Sequence, residues 1–333
     1  VEIFNGEWNI FLWPSLSIWL FDRLLRAIRI LAFNWRFWNK ICEVTYNSHS
    51  NLVRLEVPCS QSFLMPKPGS YYYIYALDNL LYAHQSHPFT LAYVASNDDA
   101  EDLEMHARTS SPSSAASTES LESEALLPHK PISSNSPSSS LVFLIRPYNG
   151  FTSRLCRSST HAPSSLRILL EGPYGSTAPL RTYPSILFLV GGTGIAAPLS
   201  YLTHLLSSPS SRVRRLRIVW AVREHAFFMD VLAKFEELLR DERVEVDVHV
   251  TRDEEGKDDQ VAEGLEGVGL LAGRPDVDEE VEKICSGSGR RNGRMAVVAC
   301  GPSMMADQTR RACVRAVRDG YSGLEYFEES FKW

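Results

Sequence analysis

From Asn39 to about Val57 polar and apolar residues alternate along the chain, with β-branched side chains frequent among them. Gly69-Ser-Tyr-Tyr-Tyr-Ile-Tyr75 repeats the alternation after Pro66 and Pro68. A two-residue period turns one face of an extended chain inward, so both stretches predict antiparallel strands. Further strands are predicted over Phe89 to Val94, Leu141 to Ile145 and Arg167 to Leu170. From Asn97 to Ser140 serine, acidic residues and proline dominate. Such a stretch cannot bury enough apolar surface to offset its ordering entropy, which predicts a disordered surface insertion between two strands.

After Tyr183 the rhythm changes to strand, turn, helix. Ile186 to Val190, Leu216 to Val222 and Met295 to Ala299 are buried-strand runs, and Val244 to Val250 alternates as another strand. Helical spacing marks Ala196 to Leu206, Phe227 to Leu239 and Met304 to Arg318, and the acidic stretch Asp253 to Gly269 reads as a loop. Strands alternating with helices predict a doubly wound α/β domain with a parallel sheet. The expected organisation is a membrane-proximal helical stub over residues 1–38, an antiparallel β domain over 39–181 carrying the insertion at 97–140, and the α/β domain over 182–333.

Ile10 to Phe21 is an apolar run of about a dozen residues, against the roughly 20 a helix needs to cross a bilayer. Trp8, Trp13 and Trp19 lie in or beside it, and Asp22, Arg23, Arg26 and Arg29 follow at helical spacing. Two readings stay open. The segment is the cytoplasmic exit of a membrane helix, with aromatics at the headgroups and positive charge inside, or an amphipathic helix packed on the protein's own core.

The length of 333 residues fits two domains of ordinary size. A formal net charge of -6 argues against a general nucleic-acid binder. The six cysteines form no Cys-x-x-Cys pair and no dense framework, which points to a reducing compartment.

The sharpest local signal is Leu187-Phe-Leu-Val-Gly191-Gly192-Thr193-Gly194-Ile-Ala-Ala-Pro198. A strand ending in glycines lets the backbone approach a pyrophosphate, and the next helix offers free N–H groups. The same glycines would also serve a plain tight turn, and their spacing is not the common Gly-x-Gly-x-x-Gly fingerprint.

Seven segments in order then carry a resemblance: His87-Pro88-Phe89-Thr90; Arg146 with Gly150-Phe151-Thr152; Glu171-Gly172-Pro173-Tyr174-Gly175; the glycine loop; Val219-Trp220-Ala221-Val222-Arg223; Cys300-Gly301-Pro302; and Glu328-Glu329-Ser330-Phe331-Lys332-Trp333. In this order they resemble the ferredoxin-NADP reductase superfamily and, within it, the fungal ferric reductase and NADPH oxidase group. The resemblance implies a β-barrel FAD-binding domain followed by an NADPH-binding α/β domain.

It further implies that His87, Pro88, Phe89 and Thr90 meet the flavin ring and its ribityl chain, while Arg146, Gly150 and Thr152 meet the FAD pyrophosphate. Gly172, Pro173 and Tyr174 would close the flavin domain toward the nicotinamide cleft. Gly191, Gly192, Thr193 and Gly194 would cradle NADPH, with Gly301 and Pro302 opposite. Arg223 would pair with a 2′-phosphate, although it could equally pair with Glu224 or face solvent. Cys300 would position the nicotinamide for hydride transfer rather than act as a nucleophile, and Phe331 would stack over the flavin, with Trp333 as the other terminal aromatic. In the resembling enzymes the electrons pass to haem b held by histidines on membrane helices. None of the nine histidines here lies in an apolar span, so that haem domain is expected in a part outside this chain. The implied activity is a membrane-bound NADPH-dependent metalloreductase acting on ferric or cupric chelates. Superoxide production by an NADPH oxidase and a non-catalytic flavin-domain remnant are the alternatives.

Overall fold

A computed structural model describes residues 9–34, 41–59, 66–77, 85–95, 139–251, 267–287 and 293–329. The expected insertion lies outside them apart from Ser139 and Ser140, which already belong to a strand. Trp8, Phe331 and Trp333 also lie outside the described residues.

The long alternating stretch is a hairpin of β1 (Cys42–Asn47) and β2 (Leu52–Cys59), paired from Glu43↔Glu56 to Asn47↔Leu52. Asn51 turns the chain at φ 49, a left-handed conformation that asparagine tolerates better than most residues. With β5 (Tyr93–Ala95), β6 (Ser139–Ile145) and β7 (Ser164–Leu166) they form one sheet, ordered β5-β6-β2-β1-β7. A second sheet, β4-β3-β8, joins β3 (Tyr71–Ala76) to β4 (His87–Thr90) and β8 (Ile168–Tyr174). All pairings in both sheets are antiparallel. The sheets share one core, with Val44, Leu55 and Phe143 from the first packed with Tyr72, Ile74 and Leu170 from the second.

The single strand expected over Phe89 to Val94 is in fact two. Leu91 N–H donates to Ser70 and Ala92 N–H to Val142, so the chain leaves one sheet and joins the other between neighbouring residues. Both are buried there, at 2% and 0% exposure. An apolar run looks the same whether or not it changes partners.

Beyond Tyr183, β9 (Ser185–Gly191), β10 (Arg215–Val222), β11 (Val244–Val250), β12 (Val268–Ala272), β13 (Met295–Cys300) and β14 (Leu324–Glu328) form a parallel sheet ordered β12-β11-β10-β9-β13-β14. Ile186, Phe188 and Val190 pack into a core with helix Ala196–Ser207 and helix His225–Leu232. Leu187 and Leu189 pack on the other face with helix Val277–Gly287 and helix Ser303–Arg318. A strand covered on both faces reads as a continuous apolar run. The strand order reverses between β9 and β13, and the crevice beyond their carboxyl ends is where such sheets bind ligands.

Three elements of this half were not predicted. Strand β12 begins within the expected Asp253–Gly269 loop and lies at the sheet edge, with Leu270 and Leu271 exposed. An edge strand needs no alternation to be stable, so the sequence shows none. Helix Val277–Gly287 and strand β14 were likewise missed. The helix expected over Phe227 to Leu239 breaks after Leu232 and resumes at Glu236.

The amino-terminal segment is one helix, Asn9–Asn34. Its end is tied to β8 by Asn34, whose side-chain amide donates to Leu170 C=O at 2.7 Å and accepts from Leu170 N–H at 2.9 Å. Asn34 thus serves as a one-residue strand neighbour. Among the described residues no helix is long and apolar enough to cross a membrane.

Candidate functional site

Two cavities meet at the boundary of the halves. One, of about 620 Å³, lies at the sheet's switch point and is lined by Gly191 to Gly194, Arg223, Arg274, Cys300, Gly301, Pro302 and Glu329, among others. The second, of about 520 Å³, is lined by His87, Pro88, Phe89, Thr90, Arg146, Asn149 and Thr152, among others. Thr90, Arg146, Tyr148 and Thr193 line both.

The switch-point cavity exists because two glycine-bearing loops touch. A Cβ on Gly194 would lie 2.2 Å from the Cys300 carbonyl oxygen, and one on Gly191 would lie 2.8 Å from Pro302 Cδ. One on Gly301 would come within 3.0 Å of the Gly191 nitrogen. Any side chain at these positions would force β9 and β13 apart at their carboxyl ends. Gly192 has a different role: it sits at φ 56 with open space beyond it, and its carbonyl is held by the indole N–H of fully buried Trp220 at 2.9 Å. The loop is therefore positioned before any ligand arrives.

Cys300 is 8% exposed. Burial, helped by the Glu329 carboxylate, pushes its thiol up to about 12. At neutral pH the group is a thiol and a weak nucleophile.

In the second cavity His87 stacks on Phe151, ring centroids 4.7 Å apart. Burial, and then the Arg154 charge, lower its pKa, keeping the imidazole neutral. Its Nε2 is buried with no hydrogen-bond partner among the described residues. The Gly150-Phe151-Thr152 turn is the start of a helix, Phe151–Ser158, with Gly150 at φ 76 and open space where a Cβ would be. Thr152 Oγ1 accepts the Tyr148 N–H at 2.7 Å. Arg146 pairs with Glu224 at 3.1 Å and lies over the Phe227 ring.

That pair decides an open question, since Glu224 engages Arg146 rather than Arg223. Arg223 is exposed on the cavity rim with no carboxylate in ion-pair range among the described residues. Arg274, which follows β12, joins it there. Sequence reasoning missed Arg274 because it missed the strand before it.

Gly172, Pro173 and Tyr174 line neither of the two joined cavities. Gly172 is needed because a Cβ would fall 2.6 Å from the Tyr72 ring, while Tyr174 faces the amino-terminal helix, its ring under Arg29 at 4.3 Å. Phe331 lies outside the described residues.

Glu329 was also missed as a site residue. Burial raises its carboxyl to about 7 against the opposing bond from Tyr201. Tyr201 Oη donates to Glu329 at 3.2 Å and accepts the Ala178 N–H at 3.0 Å. One phenol therefore ties the cleft carboxylate to the segment joining the two halves. The only sequence signal was the resemblance of the terminal segment, in which attention falls on the aromatics.

Residues 183–314 match the family model described as the ferric reductase NAD binding domain, and residues 37–178 match that of an FAD-binding domain. Ferric/cupric reductase transmembrane component 2 of Saccharomyces cerevisiae is 26% identical over 369 residues, covering 100% of this chain and 44% of its own length. A probable ferric reductase transmembrane component of Candida albicans is 23% identical over 355 residues, covering 97% of this chain and 45% of its own length. The chain thus spans less than half the length of these curated relatives. Among solved structures, a ferredoxin NADP+ reductase from Neisseria gonorrhoeae with bound FAD and NADP superposes with a TM-score of 0.53 at 10% identity, covering 87% of this chain and 98% of its own. The CS-b5R domains of human Ncb5or give 0.51 at 14% identity, over 86% of this chain and 69% of that one. Both share the fold: an antiparallel-sheet domain followed by a parallel-sheet nucleotide-binding domain.

Proposed function

Since this chain belongs to the ferric reductase family, with an FAD-binding domain followed by an NAD-binding domain, we propose that it is the electron-input portion of a membrane metalloreductase, taking electrons from NADPH for the reduction of ferric or cupric chelates. The observation that carries this reading is the junction of the two cavities at Thr90, Arg146, Tyr148 and Thr193. Two ring systems must meet for electrons to pass between them, and here the two spaces share a wall.

The residues present fit FAD. An orphaned, buried His87 Nε2 beside an aromatic wall and the open approach over Gly150 suit a ring joined to a phosphate chain. His87 to Thr90 would hold the ring and ribityl chain, and Arg146, Gly150 and Thr152 the pyrophosphate. When bound, FAD supplies conversion of a two-electron input into single electrons. The chain's own contribution is placement. Gly191 to Gly194 offer backbone N–H groups to the nucleotide pyrophosphate, Cys300 and Glu329 wall the nicotinamide end, and Gly301 and Pro302 set the floor. Gly172, Pro173 and Tyr174 act on this site only through the shape of β8, and Phe331 remains our candidate for the ring that covers the flavin.

We assign NADPH rather than NADH to the exposed Arg223 and Arg274, which have no carboxylate in ion-pair range among the described residues and suit a 2′-phosphate. We take residues 39–181 and 182–333 as the flavin and nucleotide domains, and residues 1–38 as membrane-proximal. The curated relatives are named as transmembrane components, which supports a membrane location; we further propose that the electrons pass on to haem b in a partner segment.

The test is the visible spectrum of the chain reconstituted with FAD, followed anaerobically while NADPH and then NADH are added. Loss of the flavin band at far lower NADPH than NADH is expected, with Arg223→Ala closing most of that gap. Absence of bound flavin, or flavin that neither nucleotide reduces, overturns the reading.

A further inference from the structure

A third cavity, of about 500 Å³, lies away from the two joined ones, between the amino-terminal helix and the outer face of β3 and β8. Its charges are unequally satisfied. The Glu171 carboxylate is 2% exposed and accepts from Arg26 Nε at 3.0 Å, Arg26 Nη2 at 2.9 Å, Tyr75 at 2.6 Å and Tyr174 at 2.5 Å. Arg26 and Glu171 therefore cancel. Arg23 pairs with its neighbour Asp22 in an open surface contact, both more than half exposed, a type worth little in water. Arg29 rests on the face of Tyr174 at 4.3 Å, with no carboxylate in ion-pair range among the described residues. Among the described residues the cavity is left with one uncompensated guanidinium and a second that is easily released.

The helix that supplies these arginines has an unusual surface, which begins before them and continues between and past them at Leu24, Ile28 and Leu31, 52% to 57% exposed. Phe11, Trp13, Ile18, Trp19 and Phe21 are 55% to 70% exposed, and Leu12 and Leu20 exceed half. An apolar surface this continuous marks an interaction with something apolar. At 1.5 Å per residue, Phe11 to Phe21 covers about 15 Å, roughly half of a ~30 Å hydrocarbon core, and Arg23 to Arg29 lies about 3 to 12 Å beyond it. The headgroup layer on each side of that core is about 5–7 Å deep. Arg23 thus falls at headgroup level when the apolar run lies among acyl chains, and Arg29, about 12 Å beyond the run, lies just past that layer, within reach of a phosphate carried on a protruding headgroup.

We propose that this cavity receives the phosphate of an anionic membrane-lipid headgroup, held by Arg29 and Arg23 against the Tyr174 wall. The inference shares with the reading above only the membrane location, and requires no flavin.

The test is flotation of the full chain with vesicles of phosphatidylcholine alone and of phosphatidylcholine carrying phosphatidylinositol 4-phosphate, with circular dichroism to verify folding of every variant. At about fivefold per arginine, the wild type should prefer the anionic vesicles by about thirtyfold, Arg29→Gln should lose about fivefold of that, and Arg23→Gln with Arg29→Gln should bind both vesicles alike. Binding to neutral vesicles should not change, since the apolar run supplies it. Arg310→Gln, an exposed arginine on a distant helix, is the control. Equal losses in the control would mean a general charge effect and would overturn the proposal. So would displacement by inorganic phosphate at the concentration that saturates the vesicle arm, which would mark a free-anion site, or an unchanged preference in the double variant. A flavin-reduction failure with the lipid preference intact would sink only the electron-input reading.

Discussion

Glu329 carries a pH signature of its own. Its carboxyl is raised to about 7 by burial, from an ordinary value of 4.5. Between those values the folded protein holds a proton that the unfolded chain releases. Its stabilising contribution is therefore full below about 4.5 and is lost as pH rises through about 7. Glu329→Gln should flatten this fall, seen as denaturation midpoints that decline less than wild type across that window. Gly194 offers a steric counterpart. Gly194→Ala would drive a Cβ to 2.2 Å from a backbone oxygen of Cys300, so a loss of about 1–3 kcal/mol in denaturant titration is expected, together with weakened nucleotide binding. Gly150→Ala meets nothing but stands at φ 76 and ψ -126, a conformation that side chains rarely adopt, costing about 1–3 kcal/mol of backbone strain alone.

At the scale of elements, two charge clusters hold strands and helices in register. Burial alone would raise the Glu171 carboxyl, yet the bonds from Tyr174, Tyr75 and Arg26 outweigh it and hold it below the ordinary range. Its contribution is present above the ordinary carboxylate pKa and lost as pH falls through the depressed value, opposite in sign to that of Glu329. Glu171→Gln should therefore make acid unfolding begin less steeply while lowering stability at neutral pH by about 2 kcal/mol. On the nucleotide half, Arg217 on β10 reaches Glu280 at 2.8 Å and also binds Glu245 and Asp247. This joins two strands to helix Val277–Gly287. Arg217→Met would leave Glu280, 4% exposed, with only the Lys283 ammonium at 2.8 Å as a cationic partner, costing about 1.5–3 kcal/mol by thermal or chemical denaturation. Adding Glu280→Leu should recover much of that loss.

For the whole molecule, function depends on how the two halves meet. Asp230 on the nucleotide half accepts from Ser50 at 2.6 Å and Asn47 at 3.2 Å and pairs with Arg54 at 3.8 Å. Leu52, Ala92 and Leu144 of the flavin half are buried within the nucleotide half's own core cluster. On the other side of the seam, Gly69 N–H donates to Ser200 and Ala178 N–H to Tyr201. Asp230→Ala should loosen the first clamp without touching either cavity. Stopped-flow measurement should find flavin reduction slowed several-fold with nicotinamide-nucleotide affinity nearly unchanged, since a misplacement of about 1 Å is costly to electron-transfer geometry while binding stays local.

The fold class was legible because its signals are local in the chain. Alternation in Cys42–Asn47 and the doubly covered apolar run Ile186–Val190 each declare their surroundings within a few residues. The glycine loop and Cys300-Gly301-Pro302 were legible for the same reason, as punctuation after a strand. Contact between them was not: only the parallel pairing of β9 with β13 brings Gly194 against Cys300. The same holds for the sheet change at Leu91 and Ala92, for Arg274 behind an edge strand without alternation, and for Glu329, whose partner Tyr201 lies 128 residues away. Periodicity along a chain records which face of an element is buried. What buries it, and which lone polar groups arrive beside one another, follows from long-range pairing, and only the tertiary structure decided that.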